Sequence, residues 1–190
     1  MSDIVNPNWL SVRLHEFFWF VLSQKTYKEY VDWMQLGGDE KFLDFGCGPG
    51  AASIHIAPLL QKCGGELTCF DLSHTWIQRA RKRLRRFDNV RFFSGDIRQS
   101  SLENNYFNAV NIHFMLHDIP VSQRLDILQA LAVKMTVGAK LYIREPISSD
   151  HGIPIDEIKQ MLETAGFQAE KTTIQTIFGK QALTALFIKL

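Results

Sequence analysis

Three aspartates and a run of glycines carry the most chemistry in this 190-residue chain. Asp44 stands two residues before Gly46 in Phe42-Leu43-Asp44-Phe45-Gly46-Cys47-Gly48-Pro49-Gly50, an apolar run that ends in three glycines spaced two apart. Gly46 and Gly48 permit backbone angles and a close approach that a side chain would obstruct. Such a turn after a strand lets main-chain atoms close on a nucleotide. The dinucleotide pattern G-x-G-x-x-G would have its third glycine at position 51, where Ala51 stands, and the pattern tolerates Ala there, so the loop by itself is ambiguous. Asp44 tips the balance: an acid at the strand's end suits an ammonium group and repels a pyrophosphate. Pro49 removes one N–H that a phosphate would have used.

Asp71 ends the next apolar run, in Cys69-Phe70-Asp71-Leu72-Ser73, 25 residues after Gly46. A carboxylate there can accept from both hydroxyls of a ribose, without telling one adenosine cofactor from another. Asp96, in Ser94-Gly95-Asp96-Ile97, follows a third run; it can accept from an adenine amino group while the Ile97 N–H donates to a ring nitrogen. Turn or cap formation is the plainer role for Asp96. Three titratable groups further on are candidate general bases: His113, His117 and Glu145. Asp118, next to His117, caps the following helix in the simplest reading.

These residues need strands to end just before them. Lys41 to Phe45, Glu66 to Phe70, Val90 to Phe93, Ala109 to His113 and Lys140 to Arg144 read as strands. Helices are expected over Ala51 to Gln61, from a Ser73 cap to about Arg86, from Pro120 to about Met135 with Gly138 closing it, and over Asp156 to Ala165 ahead of Gly166. Strands over Gln168 to Ile177 and Ala182 to Lys189 finish the chain, joined through Phe178 to Gln181. Such alternation predicts an α/β, Rossmann-like, doubly wound fold. Its seven-stranded sheet is mostly parallel with a C-terminal antiparallel hairpin, and ligands bind beyond the carboxyl ends of the strands.

Residues 8 to 35 read as a helix that is apolar on two sides, with Leu10, Leu14, Phe17, Phe18 and Val21 on one and Trp9, Val12 and Trp19 on the other, Phe20 lying at its edge. It has two partners to satisfy: the body of the protein, and a second subunit, a lid contact or a greasy substrate. The expected organisation is one domain, with residues 1–40 as a helical cover and 41–190 as the core.

A formal charge of +1 gives no global pull toward nucleic acid or an anionic membrane. Arg79, Arg81, Lys82, Arg83, Arg85 and Arg86 crowd one helix, which reads as a solvated face. Cys47, Cys63 and Cys69 form no metal-binding spacing and suit a reducing, cytoplasmic setting. The longest apolar run near the start, Phe17 to Leu22, is too short to span a bilayer.

From Lys41 onward the chain resembles the class I S-adenosylmethionine-dependent methyltransferases. The resemblance rests on LDFGCGPG, CFDLS, SGDI, FNAVNIHFMLHDI and LETAGF in their order and spacing. It implies that Asp44 and the backbone of Gly46, Cys47 and Gly48 hold the methionine portion of S-adenosyl-L-methionine. Asp71 and Leu72 would lie at the ribose, Asp96 and Ile97 at the adenine, and His113 near the sulfonium. It implies methyl transfer to a small molecule, apolar or aromatic if the N-terminal helix lines the site, with S-adenosyl-L-homocysteine as product. His117-Asp118 is similar to the His-Asp pair of plant-type small-molecule O-methyltransferases, where the histidine is the base; in related enzymes the same histidine is structural. Asn108 stands where relatives often carry Asp, Val137-Gly138-Ala139 replaces a Pro-Gly-Gly turn, and the segment from Glu145 to Pro154 has no room for the cap many relatives insert. A nicotinamide-dependent oxidoreductase is the competing enzyme, leaving Asp44, Pro49 and Asp96 unexplained. A non-catalytic partner protein of the same fold is the competing binding module.

Overall fold

The computed structural model describes residues 23–147 and 152–190. The expected two-sided helix therefore falls largely outside the described residues, together with any homodimer contact it makes. Its end is α1 (Gln24–Met34), which buries Tyr27, Tyr30, Val31 and Met34 at i, i+3, i+4 and i+7.

The chain divides into two compact units with the boundary between Asp96 and Ile97. In the first, β1 (Lys41–Phe45), β2 (Glu66–Asp71) and β3 (Val90–Ser94) are parallel. α2 (Ser53–Gln61) joins β1 to β2, and α3 (His74–Leu84) joins β2 to β3. Four of the five β1 residues are buried, the mark of a strand covered on both faces. α3 starts as expected: Ser73 takes the N-cap, its hydroxyl accepting from the Trp76 N–H, and Trp76, Ile77, Ala80 and Leu84 form the buried stripe. Burying each large apolar side chain contributes about 1.5–3 kcal/mol before chain entropy is counted.

In the second unit, β4 (Phe107–His113) runs parallel to β5 (Met135–Pro146). α4 (Val121–Lys134) connects them, with Pro120 at its N-cap. α5 (Ile155–Thr164) precedes β6 (Phe167–Ile177) and β7 (Lys180–Lys189), which pair antiparallel, β7 also lying antiparallel to β5. The strands order as β3-β2-β1-β4-β5-β7-β6 in one seven-stranded sheet, the mixed arrangement that the alternation predicts.

Several boundaries differ from expectation by a residue or more, two of them with a clear physical reason. The helix stops at Lys134 and the strand starts at once, so Gly138 lies inside β5. The ladder shifts between Phe107–Met135 and Ala109–Lys140, and Gly138, at φ 77°, sits in the irregular stretch that absorbs the shift. The final hairpin is also tighter: Ile177 pairs with Lys180 across Phe178 and Gly179, both at positive φ, as a two-residue turn requires.

Candidate active site

In the first unit the glycine loop is tied to β2 by its own backbone. The N–H groups of Gly46 and Cys47 both donate to the Phe70 carbonyl, at 2.8 and 3.1 Å, and that of Gly50 donates to the Cys47 carbonyl. Gly48 donates its N–H to Asp71 Oδ2 at 2.8 Å, and Asp71 Oδ1 accepts from the Ser73 N–H at 2.8 Å. Gly48 has φ 53°, and a Cβ added there would meet no atom within 4 Å. At Gly50, φ 87°, a Cβ would instead come 3.4 Å from Leu84 Cδ1 and 3.6 Å from Ala80 Cβ, because the loop rests on α3. One glycine keeps space open beside Asp71; the other seats the loop.

Asp44 is buried, at 2% exposure, and accepts from the Ser53 hydroxyl at the start of α2. The Cys69 thiol in turn lies against the Ser53 oxygen at 3.4 Å. Asp44 thus sits beneath the loop, in the layer that joins β1, β2 and α2. Burial pushes the Cys47 thiol well above its ordinary value, with Cys69 adding to the shift, so it stays protonated at neutral pH.

Burial also raises the Asp71 carboxyl to about 6, with the negative Asp44 adding to it and the N–H groups of Ser73 and Gly48 opposing it. Next to it Leu72 is 51% exposed, an apolar side chain standing in the open beside a carboxylate. Asp96 ends this unit just after β3 and is half-buried; the preceding Gly95 N–H donates to the Asp71 carbonyl. Asp44, Gly46, Cys47, Gly48, Asp71 and Leu72 therefore lie at the carboxyl ends of β1 and β2 and on the loops that follow.

The second unit holds Ile97, His113 and His117. Ile97 opens a 3-10 turn (Ile97–Gln99), with its side chain buried. His113 ends β4, opposite Arg144 in the register with β5. Burial, and then the Arg144 charge, lower its pKa well below the ordinary value, so its ring is neutral at pH 7 and a weak base. Phe114 follows at φ 50°, an uncommon conformation for an aromatic residue, held by its N–H bond to the Arg144 carbonyl at 2.8 Å. This bend directs the chain into a second 3-10 turn (Leu116–Asp118).

That turn is built around Glu145. The carboxylate is fully buried and accepts the N–H groups of Met115 at 2.8 Å, Leu116 at 2.7 Å and His117 at 3.4 Å. It also receives His117 Nδ1 at 2.7 Å. A carboxylate so enclosed is shut off from solvent and holds the His117 ring in place. An acceptor on Nδ1 leaves Nε2 as the imidazole's basic nitrogen, and Nε2 lies 3.6 Å from Asp118 Oδ1. Burial lowers the His117 pKa, but the hydrogen bond and charge of Glu145, with Asp118 behind them, outweigh burial and the Arg124 charge, so the net shift is upward. Asp118 closes the turn beside His117, while α4 starts at Pro120 without a side-chain cap.

Sequence reasoning did not find Ser53, Arg124 or the positioning part of Glu145. Arg124 is buried on α4 and donates to the carbonyls of Ile119 and His117 and to Glu157 of α5. Its signal was present: Arg124 shares a helical face with Leu128 and Leu131, and a cation on an apolar stripe needs partners. No spacing rule links Ser53 to an acid nine residues earlier. Among the described residues no group of three or more His, Cys, Asp or Glu side chains could hold a metal ion. No helix among them is long and apolar enough to cross a membrane.

A glycine loop after β1, an acid at the end of β2 and a sheet closed by an antiparallel hairpin define the methyltransferase fold class. Residues 42–136 match the methyltransferase domain family, and the chain belongs to the class I S-adenosylmethionine-dependent methyltransferases. It is 30% identical over 108 residues to a carboxy-S-adenosyl-L-methionine synthase of Aeromonas salmonicida, covering 55% of this chain and 43% of that protein. The matched stretch thus spans less than half the length of that relative. Among solved structures, a TehB-like S-adenosylmethionine-dependent methyltransferase from Corynebacterium glutamicum superposes with a TM-score of 0.75, at 20% identity, covering 96% of this chain and all of that one. The N-methyltransferase NodS from Bradyrhizobium japonicum, solved with S-adenosyl-L-homocysteine, gives 0.73 at 18% identity, covering 96% and 93%.

Proposed function

We propose that this chain binds S-adenosyl-L-methionine on the loops after β1 and β2 and transfers its methyl group to a small-molecule acceptor. The observation that carries this reading is the Gly48–Asp71 pair: a carboxylate held by loop N–H groups, next to open space where any other residue would project a side chain. These residues fit the cofactor. Asp71 keeps lone pairs for the two ribose hydroxyls, Leu72 offers an apolar surface beside the ribose, and Gly46, Cys47 and Gly48 present backbone to the methionine portion. Asp44 contributes its negative charge to the ammonium from beneath the loop. Asp96 and Ile97 at the adenine, and His113 near the sulfonium, complete the proposed set on the strength of the family resemblance.

The cofactor supplies an already activated methyl group, so the chain has to align, desolvate and, for a hydroxyl acceptor, take up a proton. His117 is the proposed base. Glu145 holds its Nδ1–H, fixing ring orientation and tautomer, and Nε2 receives the proton. The neutral His113 adds a polar ring without a charge that would repel a sulfonium. A cytoplasmic setting belongs to the same proposal; the three cysteines are free thiols.

Calorimetric titration with S-adenosylmethionine and S-adenosylhomocysteine, beside NAD(H) and NADP(H), tests the cofactor. Saturable binding of the first pair alone is expected; binding of a nicotinamide cofactor alone overturns the proposal. The sequence relative favours a second reading, formation of a carboxylated cofactor instead of a methylated acceptor. Mass spectrometry of the turned-over cofactor separates the two, since methyl transfer leaves S-adenosylhomocysteine.

A further inference from the structure

The cationic face of α3, expected to be a solvated face, borders a hollow. Arg79, Lys82 and Arg83 fall at i, i+3 and i+4, and Arg85 and Arg86 continue the row beyond Leu84. These five side chains and Ile54 line a hollow of about 630 Å³. Its lining holds no acidic residue among the described residues. Arg79 and Arg83 stand at i, i+4, a spacing that brings the two side chains together on one helix face. Cations in the last turn of a helix complement its dipole, but that effect is confined to the turn and does not require a concave arrangement. The whole chain carries only +1, so five charges around one hollow are a local concentration.

A ligand of this hollow would be anionic, and three features narrow its class. The volume falls in the range of small-ligand sites. Four of the five cations are arginines, whose planar forks match phosphate oxygens two at a time. Of the aromatic rings nearby, Phe92 carries the Arg81 guanidinium at 4.9 Å and Phe87 that of Arg86 at 4.8 Å, so one face of each is already taken and stacking on nucleic-acid bases is disfavoured. We propose that this hollow binds a compact polyanion of linked phosphates, of the di- or triphosphate type. It is distinct from the proposed cofactor residues, although Arg83 Nη1 donates to the Pro49 carbonyl of the glycine loop at 2.8 Å.

The test is calorimetric titration of the full chain with inorganic tripolyphosphate at low ionic strength, which needs neither cofactor nor acceptor and so stands or falls apart from methyl transfer. One saturable site is expected, weakening steeply with added salt. Arg79→Gln combined with Lys82→Gln, which leaves the Arg83–Pro49 bond in place, should weaken binding about tenfold or more. Arg85→Gln with Arg86→Gln is the second variant should the first fail to fold. Lys25→Gln with Lys140→Gln removes the same charge from exposed positions elsewhere and should bind as the wild type does. No saturable binding, or an equal loss in that control, overturns the proposal. Tighter binding of a single-stranded oligonucleotide than of tripolyphosphate, lost in the Arg79 and Lys82 variant, also overturns it and assigns the face to nucleic acid.

Discussion

His117 Nδ1 lies 2.7 Å from Glu145 Oε2, and the same carboxylate gathers the backbone N–H groups of Met115 and Leu116. One buried acid thus shapes the turn and orients the ring that the turn carries. Glu145→Gln keeps the size but puts an amide N–H₂ against those donors. We expect it to lower the His117 pKa, read by NMR titration of the ring, and to cost about 1–3 kcal/mol in denaturant unfolding. An unchanged ring titration would separate the two residues energetically.

His117→Asn tests the base itself. With a hydroxyl acceptor, kcat should fall about 10²–10⁴-fold at neutral pH, while S-adenosylhomocysteine affinity stays as in the wild type. The linkage has a definite sign. The folded pKa is raised, so the stabilisation from protonated His117 is complete below its unfolded value of 6.5 and is lost as pH rises through the higher folded value. The pH dependence of the melting temperature in that window should flatten in the variant.

Asp71 gives the opposite kind of handle on pH. Its folded pKa is raised to about 6 from 3.8, so its contribution favours the fold most below 3.8 and fades as pH rises through 6. Cofactor binding needs the ionised form to accept from the ribose. Affinity for S-adenosylhomocysteine should therefore weaken as pH falls through about 6, where stability improves. Asp71→Asn should lose most of that affinity and remove the pH dependence of both.

Gly48→Ala and Gly50→Ala should separate binding from stability. Both positions have positive φ, which costs an alanine about 1–2 kcal/mol. At Gly50 the new methyl would meet Leu84 and Ala80 at ordinary van der Waals distance, so the two variants should lose similar stability by thermal melting. Gly48→Ala places its methyl in open space and should lose cofactor affinity more than stability. Equal cofactor affinity in Gly48→Ala and wild type would count against the loop as the binding surface.

Ser53→Ala removes the hydroxyl donor to a carboxylate that is 2% exposed. An unfolding cost of about 1–3 kcal/mol is expected, measured by chemical denaturation, because a buried carboxylate loses a hydrogen-bond donor.

Much of the architecture is written in local pattern. Lys41 to Phe45 is a buried strand because it is short, apolar and followed at once by glycines, and the structure has it with the same bounds. Ser73 before an apolar stripe marks a helix start, and it caps one. The end of α4 was less legible. Met135 to Ala139 satisfies no clear period, and pairing of Met135 with Phe107 makes it strand where a helix end with a glycine stop was expected.

By itself, the sequence determined the alternation of strands and helices, and hence that Asp44, Asp71 and Asp96 each lie at or just beyond the carboxyl end of a strand. Those are near-neighbour properties, set by period and by the conformational freedom of glycine. Only the tertiary structure decided what each acid touches. Glu145 meets His117 from 28 residues away, Asp71 meets Gly48 from 23, and Asp44 faces Ser53 instead of solvent. Such contacts depend on strand register and on how deeply each side chain is taken from water. Neither can be read from spacing along the chain, and the charges and protonation of the site follow from both.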